Sequence, residues 1–392
     1  MRPMLLLLTL LLTLGSAAAQ DVPAVGTPAT FDVATWNIER FDEGGQTQID
    51  NVLAVLQQAE IDLWALQEVN DRFAFDEIVE RLGDGWAGTW TNGTGSLGYG
   101  FIYRTDVVNL LQATTILNDF SFEFASRPPL LLRADITLPD TTVANVRFID
   151  VHAKCCGDSQ SYNRRVDASA ALKNYVDNFL AIDAPVIVLG DLNDELRNSI
   201  FNGETSPYQN FRDDEDDYTF ATYPLDLANV ATFCSNQSCT SGSTLDHLLV
   251  TRPLATSFVA GSARRYDALL AAIPNYVNTT SDHLPVYAQF DFAPLPTAND
   301  DETAPRAFAL DAPFPNPFRD ATTLAFALPA PTEIRLEVFD ALGRRVATVA
   351  EGTRPAGTHE VTFAARDLPP GLYLVRLTAG SQTATRRLIH VP

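Results

Sequence analysis

Apolar positions come in short blocks over the first three-quarters of the chain, and most blocks end on a polar side chain. Phe31 to Trp36 reads as a strand that ends in Asn37. Ile49, Val52, Leu53, Leu56 and Ala59 fall near 3.6 spacing and predict a helix over Thr47–Ala59. Ile61 to Leu66 is a strand ending in Gln67-Glu68, and Phe73 to Leu82 a second helix. Gly83 to Gly100 is glycine-rich and reads as a loop, followed by strands over Phe101–Tyr103 and Val107–Gln112. Leu130 to Leu138 alternates as a half-buried strand, and Val146 to Val151 is its hairpin partner, delivering His152. Ser161 to Phe179 is a helix with Val166, Ala170, Leu172 and Val176 on its apolar side. Val186 to Leu189 reads as a strand buried on both faces, followed by Gly190, Asp191 and Asn193. An extended backbone would place Asp191 and Asn193 on one face; a polar turn is the other reading. Leu245 to Val250 and Val286 to Phe292 are the last strands of this half, each beside an Asp-His pair.

The character then changes. Residues 293–312 hold several prolines and an acidic run at Asp300-Asp301-Glu302, which reads as a linker. Short alternating strands follow near Leu324–Leu328, Ile334–Phe339, Val346–Val349, Val361–Phe363, Leu372–Leu377 and Arg387–His390. Turn residues such as Gly343, Gly352 and Gly380 separate them, so residues 313–392 read as a small all-β sandwich.

A length of 392 residues suits two domains rather than one core. The net charge of −22 argues against broad electrostatic capture of nucleic acid or anionic membrane. It leaves room for an anionic substrate where a bound cation reverses the local field. Arg2, the apolar run Met4–Leu14 and Ala17-Ala18-Ala19 form a secretory signal peptide over residues 1–19. A leader at 20–30 reads as flexible. No later segment has the roughly 18 apolar residues of a membrane helix. Export permits disulfides. Of the four cysteines, Cys234 and Cys239 flank a short polar loop and are the preferred pair. Cys155 and Cys156 could bridge each other, link elsewhere or stay free. The acidic run Asp213–Asp217 reads as a solvated loop, with a calcium site as the alternative.

Asn37, Glu68, His152, Asp191, Asn193, Asp246, Asp282 and His283 share one placement, the end or edge of an apolar strand. Eight such residues predict one site built from many strand ends. Carboxylates and amide oxygens suit Mg²⁺ or Ca²⁺. Histidines can donate to phosphate oxygens or exchange protons near neutral pH. The set suits hydrolysis of a phosphate ester.

Thr35-Trp-Asn37, Leu66-Gln-Glu68, Tyr103-Arg104, Asp150-Val-His152, Gly190-Asp-Leu-Asn193, Leu245-Asp-His247 and Ser281-Asp-His-Leu-Pro285 occur in this order. With them, residues 31–292 resemble the endonuclease/exonuclease/phosphatase superfamily, whose members include deoxyribonuclease I. The resemblance implies a four-layer α/β sandwich, with two mixed sheets face to face and helices outside. It implies Glu68 as principal Mg²⁺ ligand, with Asn37 and Asp282 (Mn²⁺ or Ca²⁺ being alternatives). It gives Asp191 the attacking water, Asn193 and His152 the phosphate, His283 the pentavalent phosphate, and Asp246 the support of His283. Arg127 matches an arginine that contacts the scissile phosphate in the deoxyribonuclease branch; as a residue alone it could be a surface charge. His247 reads as structural. The stretch Gly95–Gly100 departs from the deoxyribonuclease pattern: it holds no carboxylate to pair with His152, and Tyr99 is its nearest aromatic.

Phe314-Pro-Asn-Pro-Phe318, Leu336–Arg345 and Leu368–Arg376 are similar to the C-terminal sorting domain of the type IX secretion system. That resemblance implies release to the exterior or outer surface of a Gram-negative bacterium, with the secretion machinery as partner. The expected activity is metal-dependent phosphodiester hydrolysis, most simply by an endonuclease acting as a monomer on DNA or RNA. A sphingomyelinase or inositol-phosphate phosphatase on the same site is the first alternative. A surface binding protein without catalysis is the second.

Overall fold

The computed structural model describes residues 21–41, 43–91, 97–138, 141–180, 184–292, 308–310, 313, 315–365, 368–380 and 382–391. The expected signal peptide and most of the expected linker lie outside the described residues.

Strands β1 (Phe31–Asn37), β2 (Leu63–Val69), β3 (Trp86–Thr91) and β4 (Gly98–Arg104) come first. Then follow β5 (Val108–Thr115), β6 (Leu130–Leu138), β7 (Thr141–His152), β8 (Val186–Asp191) and β9 (Tyr218–Phe220). A small hairpin of β10 (Phe233–Cys234) and β11 (Gly242–Ser243) precedes β12 (Asp246–Thr251), β13 (Arg264–Arg265) and β14 (Val286–Phe290). One six-stranded sheet has the order β13-β14-β1-β2-β4-β3, the other β5-β6-β7-β8-β12-β9. Both are mixed: β1 and β2 are parallel, as are β7 and β8, while their other neighbours run antiparallel. Helices α1 (Gly45–Gln58) and α2 (Arg72–Leu82) cover the first sheet, and α3 (Ser159–Phe179) the second.

The layering follows from side-chain parity. Phe31 and Val33 of β1 point between the sheets, against Phe148, Leu189 and Leu248. Ala34 and Trp36, of opposite parity, face α1 with Val52 and Leu56. On the far side Val186 and Val188 pack against Leu172 and Val176 of α3. Helix, sheet, sheet, helix is the four-layer sandwich expected from the sequence.

Two expectations need correction. Gly83–Gly100 is not a plain loop, since β3 and the start of β4 lie inside it. Gly83 and Gly85 turn the chain at positive φ, but Gly88 and Gly100 mark close approach. A Cβ on Gly88 would sit 2.7 Å from the Val79 side chain, and one on Gly100 2.5 Å from the Phe75 ring, so α2 lies tight on this sheet. Residues 21–30 hold no regular element, yet they are anchored. Val22 is buried, and the N–H groups of Val25 and Gly26 donate to the Ala59 carbonyl at 3.0 and 2.9 Å.

The C-terminal part is all-β. Strands β15 (Ala309–Leu310), β16 (Ala321–Leu328), β17 (Thr332–Asp340), β18 (Arg345–Arg354), β19 (Gly357–Ala364), β20 (Gly371–Ala379) and β21 (Gln382–His390) form two sheets. Their orders are β15-β16-β19 and β18-β17-β20-β21. Leu324, Phe326, Leu336, Val338, Val375 and Leu377 fill the core between them. No described helix is long and apolar enough to cross a membrane.

Candidate active site

The space between the two sheets changes from apolar to polar at one end. Period two carries the inward face of each strand to that end. In β1 the inward series Phe31, Val33, Thr35 ends on Asn37; in β8, Ile187 and Leu189 lead to Asp191. Phe148 and Asp150 of β7 lead to His152, and Val250 and Leu248 of β12 lead back to Asp246. His152 pairs with Asp191 across β7–β8, and Asp191 with Asp246 across β8–β12, so the three sit in one row. One layer deeper, Gln67 donates to Asp150 Oδ1 at 2.7 Å and to Thr35 Oγ1 at 3.0 Å.

Glu68 has the wrong parity, because Gln67 takes the inward position. The register breaks between Gln67 and Val69, and Glu68 has φ +61°. This bulge re-aims the carboxylate toward the site. Asn37 donates to Glu68 Oε1 at 3.3 Å and to Asp191 Oδ2 at 3.0 Å, while its own Oδ1 accepts from the Glu39 N–H at 3.0 Å. The Asn37 amide thus bridges two carboxylates, and its oxygen already has a partner.

Asp191 and Asn193 do converge, but not by extension. Strand β8 ends at Asp191 and Asn193 has φ +52°. The Asn193 N–H donates to Asp191 Oδ1 at 2.9 Å and its Nδ2 to Asp191 Oδ2 at 3.0 Å, so turn and site are one feature. Nδ2 also donates to the Ala153 carbonyl at 3.1 Å, which commits both amide protons. Burial pushes the Asp191 carboxyl up to about 7, against the opposing pull of His283.

His283 Nδ1 lies 2.8 Å from Asp246 Oδ2, and its Nε2 lies 3.9 Å from both Asp191 Oδ2 and Asp282 Oδ1. Burial alone would lower its pKa, but Asp246 and Asp191 outweigh that and raise it to about 10. The imidazole is held as a cation. Its backbone is fixed too: the carbonyl accepts from Tyr276 Oη and Trp36 Nε1, and the N–H donates to Ser281 Oγ.

His152 is the opposite case. Burial, then the charges of Arg127, His283 and Lys154, hold it well below the usual histidine range, so it is neutral. Among the described residues its Nδ1 has no partner, in line with the missing acid of the Gly95–Gly100 stretch. Carboxylates stand instead on the other side, with Asp191 Oδ2 and Glu68 Oε1 at 3.5 and 3.7 Å from Nε2. Tyr99 supplies what that stretch does contribute. Its buried hydroxyl accepts the His152 N–H and donates to the Arg127 carbonyl, both at 2.9 Å. Arg127 is no surface charge: it is 7% exposed, and Nη2 donates to the Ala153 carbonyl at 2.8 Å. His247 is buried and bonded to Thr222, Asp194 and Thr244, a structural role.

Asp282 stands at the mouth, and its N–H donates to Glu39 Oε2 at 2.9 Å. Glu39 is the acid that strand-end reasoning missed. Its signal was its place two residues after Asn37, on a backbone with φ +40°. Burial raises the pKa of both Glu39 and Asp282, and Glu68 adds repulsion to each. Three carboxylates that repel one another in a half-buried cluster fit a hard divalent cation by charge and by donor type. A second group, Asp191, Asp246 and His283, has ligand atoms within 4.8 Å of one another. There an imidazole held protonated stands among the acids, whereas Glu39, Glu68 and Asp282 form no group of that closeness. The acidic run at 213–217 is engaged elsewhere: Asp214 pairs with Lys173 and Asp217 with Arg252.

The sequence profile of the endonuclease/exonuclease/phosphatase family matches residues 34–283, the span that carries every one of these side chains. The chain belongs to this family. Residues 312–391 match the secretion system C-terminal sorting domain, an address for type IX export. No curated protein matches the chain in a sequence comparison. Among solved structures, an AP endonuclease from Archaeoglobus fulgidus is similar with a TM-score of 0.50 and 19% identity, over 67% of this chain and 99% of that one. The 3′ phosphatase NExo from Neisseria, bound to a product DNA hairpin, gives 0.50 and 19% over 67% and 100%. These likenesses support the family's sandwich fold.

Proposed function

We propose that this protein is an exported, divalent-metal-dependent phosphodiesterase, most simply an endonuclease acting on extracellular DNA or RNA at the outer surface of a Gram-negative bacterium. The observation that carries the reading is the meeting of acids and two unlike histidines at one place. Glu68, Asp282 and Glu39 repel one another there, while the cationic His283 has Nε2 3.9 Å from Asp282 Oδ1 and the neutral His152 has Nε2 3.7 Å from Glu68 Oε1.

Glu68 and Asp282, with Glu39 beside them, would hold Mg²⁺, and Asn37 would orient Glu68. Such an ion supplies Lewis-acid polarisation of a phosphoryl oxygen and offsets the protein's negative charge. Asp191, held by Asn37 and Asn193, orients the attacking water and takes its proton; a carboxyl near neutral pKa suits that task. Both Asn193 amide protons are committed, so its part is to position Asp191 rather than to hold phosphate. His283 donates from Nε2 to a phosphoryl oxygen as charge builds, with Asp246 sustaining its charge. Arg127 and His152 line the phosphate's other side, joined through Tyr99. Phe122, an exposed ring five residues before Arg127, has the Arg164 guanidinium 4.4 Å above it, a surface suited to a base and its phosphate.

Plasmid relaxation by the full chain, with Mg²⁺ and with EDTA, tests the reading. Metal-dependent nicking supports it. A folded, metal-binding protein that leaves plasmid and RNA intact but releases phosphocholine or inorganic phosphate would replace it with a lipid or inositol-phosphate hydrolase.

A further inference from the structure

Cys155 and Cys156 follow the site directly. The Ala153 carbonyl, one residue past His152, accepts from Arg127 Nη2 and Asn193 Nδ2 at 2.8 and 3.1 Å. Arg165 Nη1 donates to the carbonyls of Lys154 and Cys156, each at 2.8 Å, and Arg165 Nε is held by Asp194 Oδ2 at 2.8 Å. The turn carrying the two cysteines is therefore tied on both flanks.

Cys156 has φ +87°, a conformation rare for a residue with a side chain. It brings the two sulfurs to 2.7 Å, closer than the 3.2 Å between Lys154 Nζ and Cys155 Sγ. Cys155 is half-buried and Cys156 exposed. A metal site is disfavoured, because no described acid or histidine completes a ligand group with them. Nothing in the proposed hydrolysis uses either thiol.

We propose that Cys155 and Cys156 form a covalent modification site that closes to a vicinal disulfide by exchange with an external organic disulfide. Cys155 Sγ, as thiolate, attacks one sulfur of the external disulfide and forms a mixed disulfide. The displaced thiolate takes up a proton. Cys156 then gives its proton to water and attacks Cys155 Sγ, expelling the second thiolate, which is protonated in turn. Two protein thiols are oxidised by two electrons, and one external disulfide is reduced to two thiols.

The environment orders these steps. Burial alone would raise the Cys155 thiol, but hydrogen bonds from Cys156 and Lys154 outweigh it and hold the group below the ordinary range. Cys156 is raised, first by its hydrogen bond with Cys155, and it stands farther from the Lys154 ammonium, 4.0 Å against 3.2 Å for Cys155. Cys155 is thus the attacking thiol and exposed Cys156 the resolving one. The compartment implied by the sorting domain permits such a bridge, and Cys234 and Cys239 are already joined.

The test uses the full chain, incubated with oxidised glutathione, alkylated with iodoacetamide without reduction, and digested with trypsin. Cleavage after Lys154 and Arg164 frees a peptide whose only cysteines are Cys155 and Cys156. The expected peptide is two hydrogens lighter than the dithiol and carries no alkyl group. Cys156→Ser should accumulate a glutathione adduct on Cys155, at least ~10-fold faster than Cys155→Ser accumulates one on Cys156. Two alkylated thiols in this peptide, with Cys234–Cys239 still bridged, would overturn the proposal. Faster adduct formation on Cys156 would overturn the assigned order.

Discussion

Asp246 Oδ2 lies 2.8 Å from His283 Nδ1, a contact between residues 37 positions apart that sits within the buried end of the inter-sheet space. The carboxylate is what keeps a buried imidazole charged. His283→Ala should lower the turnover of a phosphodiester by at least ~100-fold with little change in folding. Asp246→Asn should keep the hydrogen bond but lose the charge, and the activity should then survive only toward lower pH, where the imidazole can still be protonated. Rates of plasmid nicking across pH, beside circular dichroism, read both effects. Wild-type rates in His283→Ala would remove the histidine from the chemistry.

The acidic cluster makes a prediction about metal affinity. Glu39 and Asp282 share a backbone hydrogen bond and repel Glu68. Glu68→Gln should abolish measurable Mg²⁺ or Mn²⁺ binding. Glu39→Gln, which removes a supporting acid, should weaken binding by about 10–100-fold. Isothermal titration of the full chain measures both. Unchanged affinity in Glu68→Gln would move the ion to the Asp191–Asp246–His283 group.

Tyr99 is a support rather than a reacting group. Tyr99→Phe leaves the buried His152 N–H without its acceptor, at a cost of about 1–3 kcal/mol. Thermal melts should fall accordingly. The rate should fall with them, because His152 and Arg127 lose their shared anchor. A melt equal to wild type would show that the hydroxyl bridge carries no weight.

Asp62 offers a pH test away from the site. It is 5% exposed and accepts the Asp32 N–H at 2.9 Å, and burial raises its carboxyl to about 7. Its folded value thus lies above the unfolded value of about 3.9. The stability tied to its neutral form is complete below the unfolded value. It is lost as pH rises toward and through 7, at up to about 1.4 kcal/mol per pH unit. Neighbouring Asp32 is raised in the same direction, chiefly by burial. Denaturant titrations of wild type and Asp62→Asn should converge near pH 4 and diverge toward pH 7, the mutant being the more stable. Parallel curves would contradict the shift.

Gly190 precedes Asp191 in the last two positions of β8. Its φ is +144°, and a Cβ there would fall 1.9 Å from the Val151 carbonyl oxygen. Gly190→Ala should cost well over about 1 kcal/mol and displace β7 from β8, taking the His152–Asp191 pairing with it. A thermal melt within a degree of wild type would refute this.

Much of the site could be read from parity alone. Asn37, His152, Asp191 and Asp246 each continue the inward alternation of an apolar strand, so the pattern that placed the core also placed them. Glu68 breaks that rule, and only the bulge at Gln67–Val69 explains its direction. Glu39 escaped notice, and Tyr99 was singled out without its bridging role, for related reasons. One sits on an irregular turn without periodicity, and the other lies in a glycine-rich strand that imitates a loop because α2 presses against it.

The order of strands and helices, the polar strand ends and the change to an all-β tail were determined by sequence, since they rest on local periodicity and turn chemistry. Charge states and partnerships were decided only by tertiary structure. Neither His152 nor His283 differs from the other as a residue type. One is neutral and one cationic because strand register sets Asp246 against His283 and gives His152 Nδ1 no acceptor among the described residues, in a space too buried for water to level the difference. Register joins residues far apart in the chain, and desolvation depends on everything packed around a group, so neither can be read from a local stretch.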